Sequence, residues 1–248
     1  MPGNVPTMSV PYPHPLFGVD TILGAAFDGS TTYISRGADL TGASTSTGVL
    51  TIAFKIRMTG AGYLYQSTGD HVRVNILSTT QMQFLIKNGA DSLVVNWAPT
   101  PLSPALDDGN YHTVLFSVSL PATEIGWIYV NDAIPQAYNA SYTTEDETMD
   151  IGAAEHTIGA AVGGASKYGG DVEMFYMDEV YYDFSVESNR RKFFDAGGNS
   201  ALDVAGSGTP SGGVQPLIYL AGTYDQWEGN KGTGGGFTVT GALTEPAS

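Results

Sequence analysis

The sequence predicts an all-β protein, an antiparallel sandwich or jelly roll, and three observations carry that expectation. Short runs of alternating apolar and polar residues recur along most of the chain. Gly, Asn and Asp punctuate those runs at close intervals. With 32 Gly and 13 Pro in 248 residues, the composition suits many strands joined by tight turns.

In chain order, Pro2, Pro6, Pro11, Pro13 and Pro15 crowd a segment without apolar periodicity, which favours an extended, polyproline-like conformation. Residues 1–18 therefore read as an N-terminal arm. It is either a floppy terminus or an assembly strap that buries Tyr12, Leu16 and Phe17 on a neighbouring subunit.

Residues 19–222 carry the strand signals of one sandwich. Leu50, Ile52, Phe54, Ile56 and Met58 alternate with Thr51, Ala53, Lys55 and Arg57, the pattern of a half-buried strand. Val72, Val74 and Ile76 alternate with His71, Arg73 and Asn75. Met82, Phe84 and Ile86 alternate with Gln81, Gln83 and, less cleanly, Leu85. Val114, Phe116 and Val118 repeat the pattern, and Trp127-Ile128-Tyr129-Val130 runs into Asn131-Asp132. Turns are expected at Gly60, Gly69, Asn88-Gly89, Asp108-Gly109-Asn110 and Asn131-Asp132.

The stretch Gly170 to Phe184 is the most informative. Val172, Met174, Tyr176, Asp178, Val180, Tyr182 and Phe184 share one parity, and a strand sends that parity to one face. The expectation is that Asp178 points inward. A buried carboxylate must be hydrogen-bonded, paired or bound to a metal.

One short helix is expected near residues 186–196. Ser185 would cap it, Glu187 sits in its first turn, Arg190, Arg191 and Lys192 come late, and Gly197-Gly198 would stop it. These cations read either as dipole complementarity or as a patch for a partner. Pro216 to Gly222 reads as the last core strand. Residues 223–248 read as a Gly-rich tail with one further strand at Phe237 to Thr240, and Gly232 to Gly236 as flexible.

Net charge of −15, from 25 acidic and 10 basic residues, argues against binding nucleic acid through its phosphates and against anionic membranes. It favours solubility and attracts cations, Ca²⁺ among them. Without cysteine, neither a disulfide nor a thiolate zinc site can form. No secretory leader is visible at Met1-Pro2-Gly3-Asn4, and no apolar segment approaches the roughly 20 residues that span a bilayer.

Three segments together resemble the laminin-G-like, concanavalin A-type jelly roll. They are Phe27-Asp28-Gly29-Ser30 with Tyr33-Ile34, Leu50 to Arg57, and Trp127 to Asp132; Met177 to Tyr182 is similar to the closing strand of such domains. A narrower likeness joins Asn189 to Gly198, Leu217 to Leu220 and Gly234 to Leu243 to laminin-G-like virion proteins of tailed bacteriophages. The resemblance implies a non-enzymatic virion structural protein, assembled in the host cytoplasm and exposed as capsid decoration or as a tail or fibre component. Its partners would be other virion proteins and further copies of itself, as a homo-oligomer.

The same resemblance implies calcium as the metal, with Asp28 and Asp178 as candidate ligands. Asp178 accepting backbone N–H bonds is the alternative. A carbohydrate-binding module recognising host glycans is the alternative function. Tyr138, Tyr142, Tyr224 and Trp227 are its candidate stacking residues, and equally candidate interface residues.

Glycoside hydrolysis is the third reading, since related jelly rolls mount catalytic carboxylates on one strand. Glu173 and Glu179 share a face but stand about 20 Å apart along a strand, too far for a catalytic pair. Asp171 and Glu173 have a compatible spacing of about 7 Å, yet Asp171 adjoins the Gly169-Gly170 turn. No catalytic residue is assigned.

Overall fold

The computed structural model describes residues 23–121, 125–132, 138–143, 146–202, 206–210 and 214–247. The expected arm, with Tyr12, Leu16 and Phe17, lies outside the described residues. The strands are β1 (Ala25–Asp28), β2 (Tyr33–Arg36), β3 (Val49–Gly60), β4 (Gly62–Ser67), β5 (Val72–Ser78), β6 (Gln81–Lys87) and β7 (Leu93–Pro99). They continue as β8 (His112–Ser119), β9 (Ile125–Val130), β10 (Tyr138–Thr143), β11 (His156–Ile158), β12 (Gly169–Asp178), β13 (Ile218–Ala221) and β14 (Thr238–Thr240).

Two antiparallel sheets face each other. One is six-stranded, β1-β12-β3-β8-β9 with β13 also on β12, and the other is eight-stranded, β10-β7-β6-β5-β4-β11-β2-β14. Aromatic rings fasten the layers. Phe84 stacks on Phe116 with centroids 4.3 Å apart, Tyr65 stacks on Phe175 at 5.4 Å, and Trp97 meets Phe116 edge-on at 5.4 Å. Such offset and edge contacts add to the area term of aromatic burial. A Cβ on Gly126 would lie 1.6 Å from the Trp97 ring, so only glycine fits opposite that indole.

β12 departs from the parity expected of it. Val172 pairs with Ile56 and Met174 with Lys55, which leaves Glu173 as an extra residue in a bulge. Beyond it the faces exchange. Phe175 and Met177 turn into the core between the sheets, whereas Met174 and Tyr176 enter a second cluster on the outer face with Tyr182, Phe184, Phe193 and Phe194. Asp178 is thus buried, at 7% exposure, but not in the inter-sheet core as its parity suggested.

The outer cover explains the short helix. Only Glu187–Arg190 is helical (α1), because Phe193 and Phe194 leave the helical path to fill the second cluster. Ser185 does not cap α1. Val186 occupies that position without a side-chain bond, and Ser185 instead bonds Asp183 through its N–H at 2.9 Å and its hydroxyl at 2.6 Å.

Residues 223–247 pack into the same sandwich. Trp227 is fully buried, β14 pairs with β2, and the Ala26 N–H donates to the Thr244 carbonyl at 2.9 Å. The glycine run is a close packing contact, not a loose tether: a Cβ on Gly232 or Gly234 would lie 2.6 Å from the Leu217 carbonyl oxygen. The Gly234 N–H reaches that same oxygen at 2.9 Å.

Candidate functional site

The outer face of the eight-stranded sheet carries a continuous line of planar polar side chains. β5 and β6 alternate cleanly, with Val72, Val74, Met82, Phe84 and Ile86 in the core, so Arg73 and Gln83 stand outward. β4 and β7 place Gln66 and Asn96 on the same face.

Across the strands the groups join. The Val162 N–H donates to Gln66 Oε1 at 2.6 Å, and the Gln66 amide donates to Asp70. The Arg73 guanidinium donates to Asp70 Oδ2 at 3.0 Å and to Gln83 Oε1 at 2.7 Å, and Gln83 Nε2 donates to Asn96 Oδ1 at 2.7 Å. Because Gln83 accepts from a guanidinium, its carbonyl oxygen is fixed on that side and its NH₂ on the other.

Two apolar surfaces lie along this line. Arg73 sits 5.8 Å from the Tyr63 ring centroid, and Leu85, which pairs with both Arg73 and Asn96, is 9% exposed beneath the amides. The only formal charges in the line, Arg73 and Asp70, cancel within one ion pair, in a chain of net charge −15. A neutral, half-buried surface that presents fixed donors and acceptors beside a ring suits a ligand with hydroxyl groups on an apolar ring face.

The predicted residues fall in different places. Tyr138 and Tyr142 lie on β10 at the edge of this sheet, in register with Pro99 and Asn96. Tyr224 is 40% exposed, in the short turn Tyr224–Gln226. Trp227, fully buried against Phe27 with centroids 6.1 Å apart, offers no ring to a ligand or a neighbour.

Asp28 closes its own turn. Its Oδ1 accepts the N–H groups of Ser30, Thr31 and Thr32 at 2.8, 2.7 and 2.9 Å. The Thr31 hydroxyl, together with these amides, holds its pKa well below the usual carboxylate range. Asp178 ends β12 with its acceptors turned to the backbone N–H groups of Glu179 and Leu217, and burial raises its pKa to about 6.

Asp28 pairs with Gly169, at the opposite end of β12 from Asp178. Nine residues of strand separate the two by about 30 Å, so they cannot share an ion. Among the described residues no group of three or more His, Asp or Glu is placed to hold a metal. Asp171 and Glu173 stand on the outer face of the six-stranded sheet, ion-paired with Arg57 at 2.6 Å and Lys55 at 2.8 Å.

The sequence pointed to aromatic clusters on loops and passed over Gln66, Arg73, Gln83 and Asn96. One signal was present. Arg73 and Gln83 are the outward alternates of successive strands.

No protein-family model matches the chain, and no curated protein matches it. Solved structures do. The native heptameric SAP-like pentraxin from Limulus polyphemus aligns over 92% of this chain and 96% of its own, with TM-score 0.53 and 12% identity. A candidate carbohydrate-binding protein from Bacteroides ovatus aligns over 92% of this chain, with TM-score 0.59 and 14% identity, and the match spans 61% of that protein's length. Domains LG4-5 of the mouse laminin α1 chain align over 67% of this chain and 44% of theirs, at TM-score 0.46 and 19% identity. At 12% and 14% identity the first two likenesses are likenesses of fold. The chain has the jelly-roll β-sandwich architecture of concanavalin A-like proteins.

Proposed function

We propose that this chain is a non-catalytic carbohydrate-binding module that holds a neutral glycan across β4 to β7. The observation that carries this reading is the unbroken hydrogen-bonded line from Gln66 through Arg73 and Gln83 to Asn96, with the Tyr63 ring and Leu85 beside it. A row of fixed amides is already organised before a ligand arrives, which lowers the ordering cost of binding. The fold it shares with the candidate carbohydrate-binding protein of Bacteroides ovatus supports the same reading. Assembly into a homo-oligomer would multiply weak single-site affinity.

The sequence likeness of residues 189–198, 217–220 and 234–243 to phage virion proteins is the one observation behind a virion setting. On a particle, such a module would attach it to a host surface.

Glycan-array binding of the full chain tests the function. A neutral oligosaccharide should bind saturably, and Gln83→Ala and Asn96→Ala should each weaken it about three- to tenfold without loss of fold. Binding unchanged in both variants would end this reading.

A further inference from the structure

We propose that a cavity on the opposite side of the molecule, between the outer face of the six-stranded sheet and residues 187–198, is a second, independent binding site for a carboxylate-bearing molecule of monosaccharide size. The cavity encloses about 300 Å³ and is walled chiefly by Lys55, Tyr111, Asn131, Asp132, Arg190 and Arg191, with the 195–198 turn at its rim. It shares no residue with the polar line on the eight-stranded sheet.

Three cations, Lys55, Arg190 and Arg191, line it beside two carboxylates, Asp132 and Asp195, while Glu173 and Glu187 pair with Lys55 and Arg191 from outside the wall. Both carboxylates are already spoken for. Asp132 accepts Arg190 Nε on one oxygen and Arg191 on the other at 2.5 Å. Burial alone would raise its pKa, but the two guanidiniums outweigh burial and lower it. Asp195 accepts the N–H groups of Gly197 at 2.8 Å and Asn199 at 2.9 Å, and the Asn199 amide at 3.0 Å. Asn131 Oδ1 is taken by the Thr113 N–H at 2.9 Å.

Donors remain. Lys55 spends one N–H on Glu173, and Arg191 bonds Asp132 and Glu187 through one nitrogen only, which leaves the rest of its fork without an acceptor among the described residues. Burial, followed by the charge of Asp171, pushes the Tyr111 pKa up to about 12, so its hydroxyl keeps its proton and donates. A cavity rich in donors and short of acceptors selects an oxyanion. A planar guanidinium matches a planar carboxylate in particular.

The rim is built to stay in place. Asn131 and Asp132 are consecutive non-glycine residues in the left-handed region, at φ 51° and 56°, a sparsely populated arrangement that surrounding structure must enforce. The enforcing group is His112, 1% exposed, with Nε2 2.8 Å from Asp108 and Nδ1 3.0 Å from the Asn131 amide. Since the Asn131 oxygen faces Thr113, its NH₂ faces His112 Nδ1 and donates to it. The ring thus accepts at Nδ1 and turns Nε2 toward Asp108. Arg190 is held in turn by the Phe184 carbonyl at 2.6 Å and by the Tyr129 ring at 4.6 Å.

Calorimetric titration of the full chain with D-glucuronate, D-glucose and inorganic phosphate, at low and at physiological salt, tests the assignment. Glucuronate should bind saturably and more weakly at higher salt, glucose should not bind at the same concentrations, and Arg191→Gln should weaken glucuronate about tenfold or more. Lys55→Gln provides a second variant, and unfolding curves confirm that each is folded. Equal binding of glucose, phosphate binding as tightly as glucuronate, or no glucuronate binding would each overturn the proposal. So would Arg191→Gln and Lys55→Gln leaving the affinity unchanged.

Discussion

The carboxylate of Glu173 lies 2.8 Å from the Lys55 ammonium at the one point where β12 carries a residue without a partner on β3. The pair is half-buried, so Glu173→Gln should cost about 1 kcal/mol in urea denaturation. Deleting Glu173 is a different change. It removes the bulge but leaves Val172 opposite Ile56 and Met174 opposite Lys55, so regular alternation is restored and Phe175 and Met177 stay in the core. The deletion should fold and unfold cooperatively, whereas deleting Tyr176, inside the regular stretch, exchanges the faces beyond it and should not; a Glu173 deletion that fails to fold would refute this account of β12.

Gly126 and Gly37 form a matched pair. Alanine at Gly126 would drive a methyl group into the buried Trp97 ring, whereas a Cβ on Gly37 meets nothing within 4 Å. Gly126→Ala should destabilise by about 1–3 kcal/mol, the range for overpacking. Gly37→Ala should stay within about 0.5 kcal/mol. Thermal unfolding of both variants checks the difference.

His156 is fully buried, with its Nδ1 2.7 Å from the Tyr65 hydroxyl, and burial depresses its pKa from 6.5 to about 4. Between those values the unfolded chain takes up a proton that the native state refuses. Stability from this group therefore falls as pH drops from 6.5 toward 4, by an amount on the order of 3 kcal/mol. The difference in urea midpoint between wild type and His156→Gln, measured against pH, should show that loss, because contributions common to both proteins, Asp178 among them, cancel.

Asp178 acts in the opposite sense. Burial raises its pKa from 3.8 to about 6, so the native state keeps a proton that the unfolded chain has released. Its contribution is present below pH 3.8 and lost as pH rises through 6. Asp178→Asn should gain stability relative to wild type at pH 8 and lose that advantage at pH 4. The reverse order would show that the carboxylate is stabilised as an anion.

How much of this was legible in the sequence depends on how many faces of a strand are buried. β3, β5, β6 and β8 could be read from Leu50 to Met58, Val72 to Ile76, Met82 to Ile86 and Val114 to Val118, where core residues recur at every second position. β7 was passed over because Val94 and Val95 are both buried and break the alternation. β12 reads as a strand, but its alternation puts Asp178 in the wrong layer, since a one-residue bulge leaves no mark in an apolar run. Trp227 looked like a loop aromatic because nothing local shows that the tail returns to Phe27. The polar line escaped notice for a related reason. Gln66, Arg73, Gln83 and Asn96 are ordinary one at a time, and only strand pairing makes them neighbours.

The most direct measurement is an NMR titration that follows the side-chain NH₂ signals of Gln66, Gln83 and Asn96 as neutral oligosaccharides are added, with cello-, malto-, xylo- and manno-oligomers as probes. At least one probe should shift all three signals together along one saturation curve. Silence of all three signals under every probe, or saturable shifts confined to residues away from β4 to β7, would contradict the claim that this sheet face binds glycans.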